Sequence, residues 1–309
     1  MRANDKVRSF LWTLPAAFLF VVLVIVALRS HSTEERSEQL VSRAHVADLV
    51  ERMRVSLATA SDAERSAVLA ITDEDSQRFA NQSRAASTEV ERLRTELANE
   101  LAKGDYSTEQ QNLARFTRSF GEFKTLDAEI LALAVKNTNL KANGLAFGEA
   151  AQTVDEINQA LGTLLDKSAT PRDAALSAAR AQVALLHIQT LLAPHIAEES
   201  EPKMRALETR MAADDKTVRA NLDALSATPQ LKSDPDVAAA RAKYARYDAL
   251  RTQILALSHD NTNVRSLSLT LDGHRGQVMS ACQDALGELR RTLLAEPAQE
   301  APVNPRHMQ

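Results

Sequence analysis

FGEFKTLDAEILALAVKNTNLKANGL, Phe120 to Leu145, and YARYDALRTQILALSHDNTNVRSLSL, Tyr244 to Leu269, are two versions of one stretch. Leu126, Ile130, Leu131, Ala132, Leu133, Asn137, Thr138, Asn139 and Leu145 recur 124 positions later as Leu250, Ile254, Leu255, Ala256, Leu257, Asn261, Thr262, Asn263 and Leu269. Phe120 and Phe123 become Tyr244 and Tyr247. The same offset, without a gap, pairs Glu74, Asp75 and Ser76 with Glu198, Glu199 and Ser200. Agreement at two distant places on one offset makes the region two copies of one unit, expected at 35–167 and 171–295.

Within the first copy, Leu113, Phe116, Phe120, Phe123, Leu126, Ile130 and Leu133 step by threes and fours, the stripe of an amphipathic helix. Gly104 with Asp105 interrupts the pattern, as Pro229 and Pro235 do in the second copy. Pro194 and Pro202 bracket a second break, matching Ala70 to Arg78. Asn137–Asn139 and Asn261–Asn263 mark a third, where Asn and Thr end one helix and cap the next. Ser168 to Pro171 joins the copies. Each copy then reads as four helices of roughly 25–30 residues, an up-down four-helix bundle about 40 Å long. The rival reading ignores the asparagine break and makes each copy a hairpin of two longer helices.

Composition agrees with an all-α fold. Gly is sparse at 8, Pro at 9, aromatics make up 4%, and good helix formers dominate. The single cysteine, Cys282, excludes an internal disulfide and reads as a small core residue. Net charge is −4, with four basic residues against one acidic before Ser30, so the remainder is acidic. Such a domain has no electrostatic footprint for nucleic acid.

From Phe10 to Leu28 run 19 residues without a charge. As a helix this stretch is about 28 Å long, enough to cross a hydrocarbon core of about 30 Å. Trp12 sits near one end, where indole favours the interface, and Pro15 lies in the first turns. A cleaved signal peptide is the competing reading, but the apolar run is too long and Arg29 follows at once. Arg2, Lys6 and Arg8 before the span favour an internal N-terminus. The expectation is a cytoplasmic tail at 1–9, a transmembrane helix at 10–28, external helices, and a disordered, proline-rich tail at 296–309.

An anchor leading straight into a four-helix unit resembles the extracytoplasmic four-helix-bundle sensory domain of bacterial methyl-accepting chemoreceptors. ILALSHDNTNVRSLSLTLDGHRGQVMSACQDAL, Ile254 to Leu286, is similar to the third and fourth helices of that domain. SDPDVAAARAKYARYDALRTQ before it resembles the approach. The resemblance implies a periplasmic sensor in the inner membrane, acting in signal transduction and chemotaxis, dimeric through long parallel helices. The family's second span and cytoplasmic signalling region have no counterpart here, so output is expected through a partner. A structural scaffold or spacer, presenting helical surface to envelope proteins, is the alternative.

No catalytic residues, cofactor or metal set is expected. His195 and Glu199 are four apart, but two ligands are too few and a solvated turn is the reading. Asn137 and Asn261 continue the apolar stripe and are candidates for binding a ligand amide or fixing register; helix-end capping is the blander role. Arg205, Arg210 and Arg219 are candidates for clamping an anionic solute between bundles, with solvated helix faces as the alternative. Tyr244 and Tyr247 read as core aromatics whose hydroxyls reach the surface.

Overall fold

The computed structural model describes residues 40–295, and among them the chain is all-helical. Helix α1 spans 40–69. It is followed by α2 (Asp73–Leu101), α3 (Ser107–Ala134), α4 (Thr138–Leu145), a π-helical turn (Ala146–Ala150) and α5 (Ala151–Asp166). The second copy supplies α6 (Arg172–Ala197), α7 (Glu201–Ala227), a 3₁₀ turn (Pro229–Leu231), α8 (Pro235–Asp260), α9 (Thr262–Leu271) and α10 (Gly273–Leu294). The breaks fall where the punctuation placed them, the asparagine break included. The expected anchor, Phe10–Leu28, and the tail at 296–309 lie outside the described residues. Among the described residues no helix is long and apolar enough to cross a membrane.

Local chemistry accounts for the ends. Pro235 opens α8 behind Asp234, whose side chain accepts from the Asp236 amide at 2.9 Å, an N-cap with a first-turn proline. Lys167 reaches both Asp234 and Asp236 at 2.8 Å, tying the connection between the copies to that cap. Asn137 and Asn261 hold φ of 51° and 48°, the non-glycine residues with positive φ among those described. Left-handed backbone suits asparagine better than any other side chain, and it ends α8 in one residue.

Packing does not follow the repeat. The larger apolar core of unit 2, residues 59–86 and 121–279, draws on both copies. It is built from Val154, Ile157, Leu161 and Leu164 of α5 and from Leu185, Ile188 and Leu192 of α6. Met211, Val218 and Leu222 of α7 complete it with Tyr244, Tyr247 and Ile254 of α8. The fourth helix of the first copy thus packs with the first three helices of the second. Unit 1, among the described residues 40–58, 87–120 and 280–295, is the converse. Val46, Leu49 and Met53 are buried there with Leu93, Leu97, Phe116 and Leu113, and α10 supplies Cys282, Leu286 and Leu289. Arg290 approaches Glu51 at 3.8 Å on the same unit.

The compact units therefore do not coincide with the repeat copies at 35–167 and 171–295. In the second copy the reason is the length of the asparagine break. An antiparallel return between helices takes about 2–5 residues, and only Asn261 separates Asp260 from Thr262. One left-handed residue redirects a helix without reversing it. The segment after each asparagine break, α4–α5 or α9–α10, ends in a helix that packs with the other copy's first three.

Candidate functional site

The two asparagine breaks meet. Thr138 and Thr262 cap each other: the Thr138 amide donates to Thr262 Oγ1 at 3.2 Å, and the Thr262 amide to Thr138 Oγ1 at 3.0 Å. One residue on, the Asn139 amide donates to Asn263 Oδ1 and the Asn263 amide to Asn139 Oδ1, both at 3.1 Å. Asn139 Nδ2 donates to Asn261 Oδ1 at 2.7 Å, and Asn263 Nδ2 to Asn137 Oδ1 at 2.9 Å. The first amides of α4 and α9 are thus satisfied by the opposite copy, not by their own cap residues. Asn139 Nδ2 also reaches the Ile196 carbonyl, and Asn261 Nδ2 the Glu198 carbonyl, tying the crossing to the end of α6. Asn137 Nδ2 holds Asp73 at 2.9 Å and lowers that carboxyl's pKa. The two candidate asparagines fix register, and their amides are consumed by protein partners.

A second cluster lies beside this crossing. His195, in the last turn of α6, is wholly buried, which overturns the solvated-turn reading. Its partner is not Glu199. Nε2 of His195 lies 2.9 Å from Glu208 Oε1 on α7, and Nε2 of His259, near the end of α8, lies 2.5 Å from the same oxygen. Nδ1 of His195 meets Ser258 Oγ at 2.8 Å, and that hydroxyl lies 3.0 Å from the His195 carbonyl. Nδ1 of His259 faces Glu201 at 3.4 Å. Burial pushes the Glu208 carboxyl up, but hydrogen bonds from both imidazoles outweigh it and the net shift is down.

A third cluster holds charge inside the bundle. Arg275 donates to Glu64 Oε2 at 2.8 and 3.1 Å, with the two side chains 6% and 1% exposed. Its guanidinium lies 4.5 Å from the centre of the Phe123 ring. Asp127 accepts from Ser83 Oγ at 2.9 Å, and burial pushes its carboxyl up to about 7, helped by the nearby Glu64. One cation therefore serves two buried carboxyls.

A scan against protein-family models finds no match, and a search of curated proteins finds none either.

The candidate arginines do not converge. Arg205, Arg210 and Arg219 follow one another along α7, about 21 Å from first to last. Arg205 pairs with Glu201 at 3.2 Å, an exposed one-turn bridge. Arg210 donates to His187 Nε2 at 3.3 Å. Arg219 holds Asp215 at 3.0 Å and Asp248 at 2.7 Å and lies over the Tyr244 ring. The Tyr244 hydroxyl donates to Asp215 at 2.5 Å and that of Tyr247 to Gln189 at 3.2 Å, so neither reaches the surface as expected. Arg205→Ala should change the unfolding free energy by less than about 0.5 kcal/mol in a urea titration, as an exposed pair on one helix does.

One groove has the character of a small-solute site. Ala179, Arg180, Val183, Ala184 and His187 of α6 face Asp214 and Thr217 of α7 around about 390 Å³. An arginine only donates, so His187 Nε2 accepts from Arg210 and its Nδ1 donates to Asp214 at 2.7 Å. The groove thus offers an apolar floor, one guanidinium and a fixed His–Asp pair.

Proposed function

We propose that this protein is a membrane-anchored sensory module that binds a small solute on its helical domain and passes that state to a partner. The groove between α6 and α7 carries the reading. Its volume of about 390 Å³ falls in the range of small-molecule sites, and a few polar groups border an apolar surface. The uncharged segment Phe10–Leu28 supplies the anchor, with the helices in the periplasm and the N-terminus inside. The likeness of Ile254–Leu286 to chemoreceptor sensory helices supports the same assignment.

Thermal unfolding of the full chain in detergent, against amino acids, organic acids and amines, tests it. A bound solute at about 100 times its dissociation constant adds about 2.7 kcal/mol, a shift of several degrees. Arg180→Ala and His187→Ala should abolish that shift while leaving the unliganded midpoint unchanged. A flat panel with cooperative unfolding intact sinks the solute reading. The second reading, a scaffold for envelope proteins or for a second copy of the chain, rests on an apolar stripe along α6. Leu176, Val183 and Leu186 are 48%, 69% and 47% exposed there at helical spacing.

A further inference from the structure

We propose that His195, His259 and Glu208 form a binding site for one first-row divalent transition cation, zinc being the best fit. Three helices bring the three side chains to one point, and their ligating atoms all lie within 4.8 Å of one another. Both imidazoles present Nε2 to the same carboxylate oxygen, Glu208 Oε1. Each Nδ1 is already engaged. Ser258 Oγ has one hydrogen, and its contacts with His195 Nδ1 and the His195 carbonyl are both satisfied only if Nδ1 donates to the hydroxyl and the hydroxyl to the carbonyl. Nδ1 of His259 is turned to the Glu201 carboxylate.

That arrangement is the outer support of a metal-bound histidine. Ligating imidazoles donate their second N–H to a carboxylate, a carbonyl or an equivalent acceptor, which fixes the other nitrogen as the ligand. Here it turns both Nε2 atoms onto one carboxylate oxygen, where a divalent cation would replace the protons that bridge the rings to Glu208. Two imidazoles and one carboxylate make a borderline donor set that zinc takes readily, with a fourth position open. Tetrahedral zinc needs donors about 3.3 Å apart. The two Nε2–Oε1 distances therefore open by less than about 1 Å while the two Nε2 atoms draw together, movements that the half-buried Glu208 and the partly exposed His259 allow.

The site is separate from the solute groove, which uses His187 and Asp214, and it stands whether the protein senses a solute or serves as a scaffold. It also has a structural consequence. His195 precedes Ile196, whose carbonyl accepts from Asn139, and His259 lies two residues before Asn261. A cation here would clamp the ends of α6 and α8 beside the crossing.

The test titrates Co(II), then Zn(II), into the full chain after chelator treatment, reading cobalt absorption, bound metal per chain and the unfolding midpoint. One equivalent of cobalt in a four-coordinate spectrum, displaced by zinc, with a midpoint raised by either metal, is the expected result. His259→Ala and Glu208→Gln should abolish both signals and keep a cooperative unfolding transition, since neither residue is fully buried. Ser258→Ala should weaken binding by about 10–100-fold. His31, His45 and His307 stay intact in every variant, so adventitious binding there would persist. A wild-type chain that binds no more metal than His259→Ala overturns the proposal and leaves a proton-bridged His–Glu–His cluster.

Discussion

Replacing Arg275 with alanine should lower the unfolding free energy by about 3–5 kcal/mol, measured by urea or guanidinium denaturation at pH 7. Arg275 is the cation that neutralises Glu64, and both side chains are out of water. Its removal strands a buried carboxylate beside a second buried carboxyl, Asp127. Replacing Arg275 and Glu64 together by leucine should recover most of the loss, because an apolar pair of similar bulk leaves no uncompensated charge. The defect is also pH-dependent, and its sign follows from Asp127. In the unfolded chain this carboxyl titrates in the ordinary aspartate range near 3.8, and in the folded chain near 7. Between those values the folded state holds a proton that the unfolded state has lost, so its contribution to stability is complete below the lower value. It falls as pH rises, by about 1.4 kcal/mol per unit, until the folded group ionises.

Asp127→Asn should flatten that slope and stabilise the protein by up to about 4 kcal/mol above pH 7. An amide accepts from Ser83 as the carboxylic acid does, and it carries no charge. Arg275→Ala, with two carboxyls and no cation, should be least harmful near pH 4, where Asp127 is neutral. If Arg275→Ala costs under 1 kcal/mol, or if Asp127→Asn leaves the pH profile unchanged, the buried triad has been misassigned.

How much of this was legible in the sequence depends on the range of the interaction. Helix ends were readable because they are local. Gly104, Pro202, Pro235 and the Asn–Thr–Asn triplets act on their own turn of backbone, and the breaks fall at those residues. The exchange of fourth helices was not readable from the apolar stripes, which are interchangeable between copies. Ile254 lies in one core with residues of α4 and α5, while Ile130 lies in a second cluster of the same unit with Ala67 and Ala80. The structure supplies the clue: the single residue between α8 and α9 is too short for a hairpin. His195 was visible as a candidate, but its partners Glu208 and His259 are 13 and 64 positions away. No motif spans such distances. The signal that finds them is positional, since parallel helices α6 and α8 both end in histidine and α7 begins with glutamates between them.

Asn261→Ala should cost about 2–4 kcal/mol, and the comparison with Asn261→Gly divides that cost in two. The first part is backbone. Alanine in the left-handed region loses about 1–2 kcal/mol, which glycine avoids. The second part is hydrogen bonding. Both variants remove Oδ1, which accepts from Asn139, and Nδ2, which donates to the Glu198 carbonyl, and buried polar groups left unpaired cost about 1–3 kcal/mol. Glycine should therefore lie between wild type and alanine. Asn139→Ala removes the other end of the 2.7 Å bond together with the acceptor for the Asn263 amide. The double variant with Asn261→Ala should then lose at least 0.5 kcal/mol less than the two single losses combined, because one shared interaction is counted in both. Strict additivity, with glycine equal to wild type, would mean that the crossing is held by backbone conformation alone. Non-additivity would make the reciprocal caps a single cooperative lock. That lock is what commits each fourth helix to the other copy, since the first amides of α4 and α9 have no other acceptor within their own cap residues.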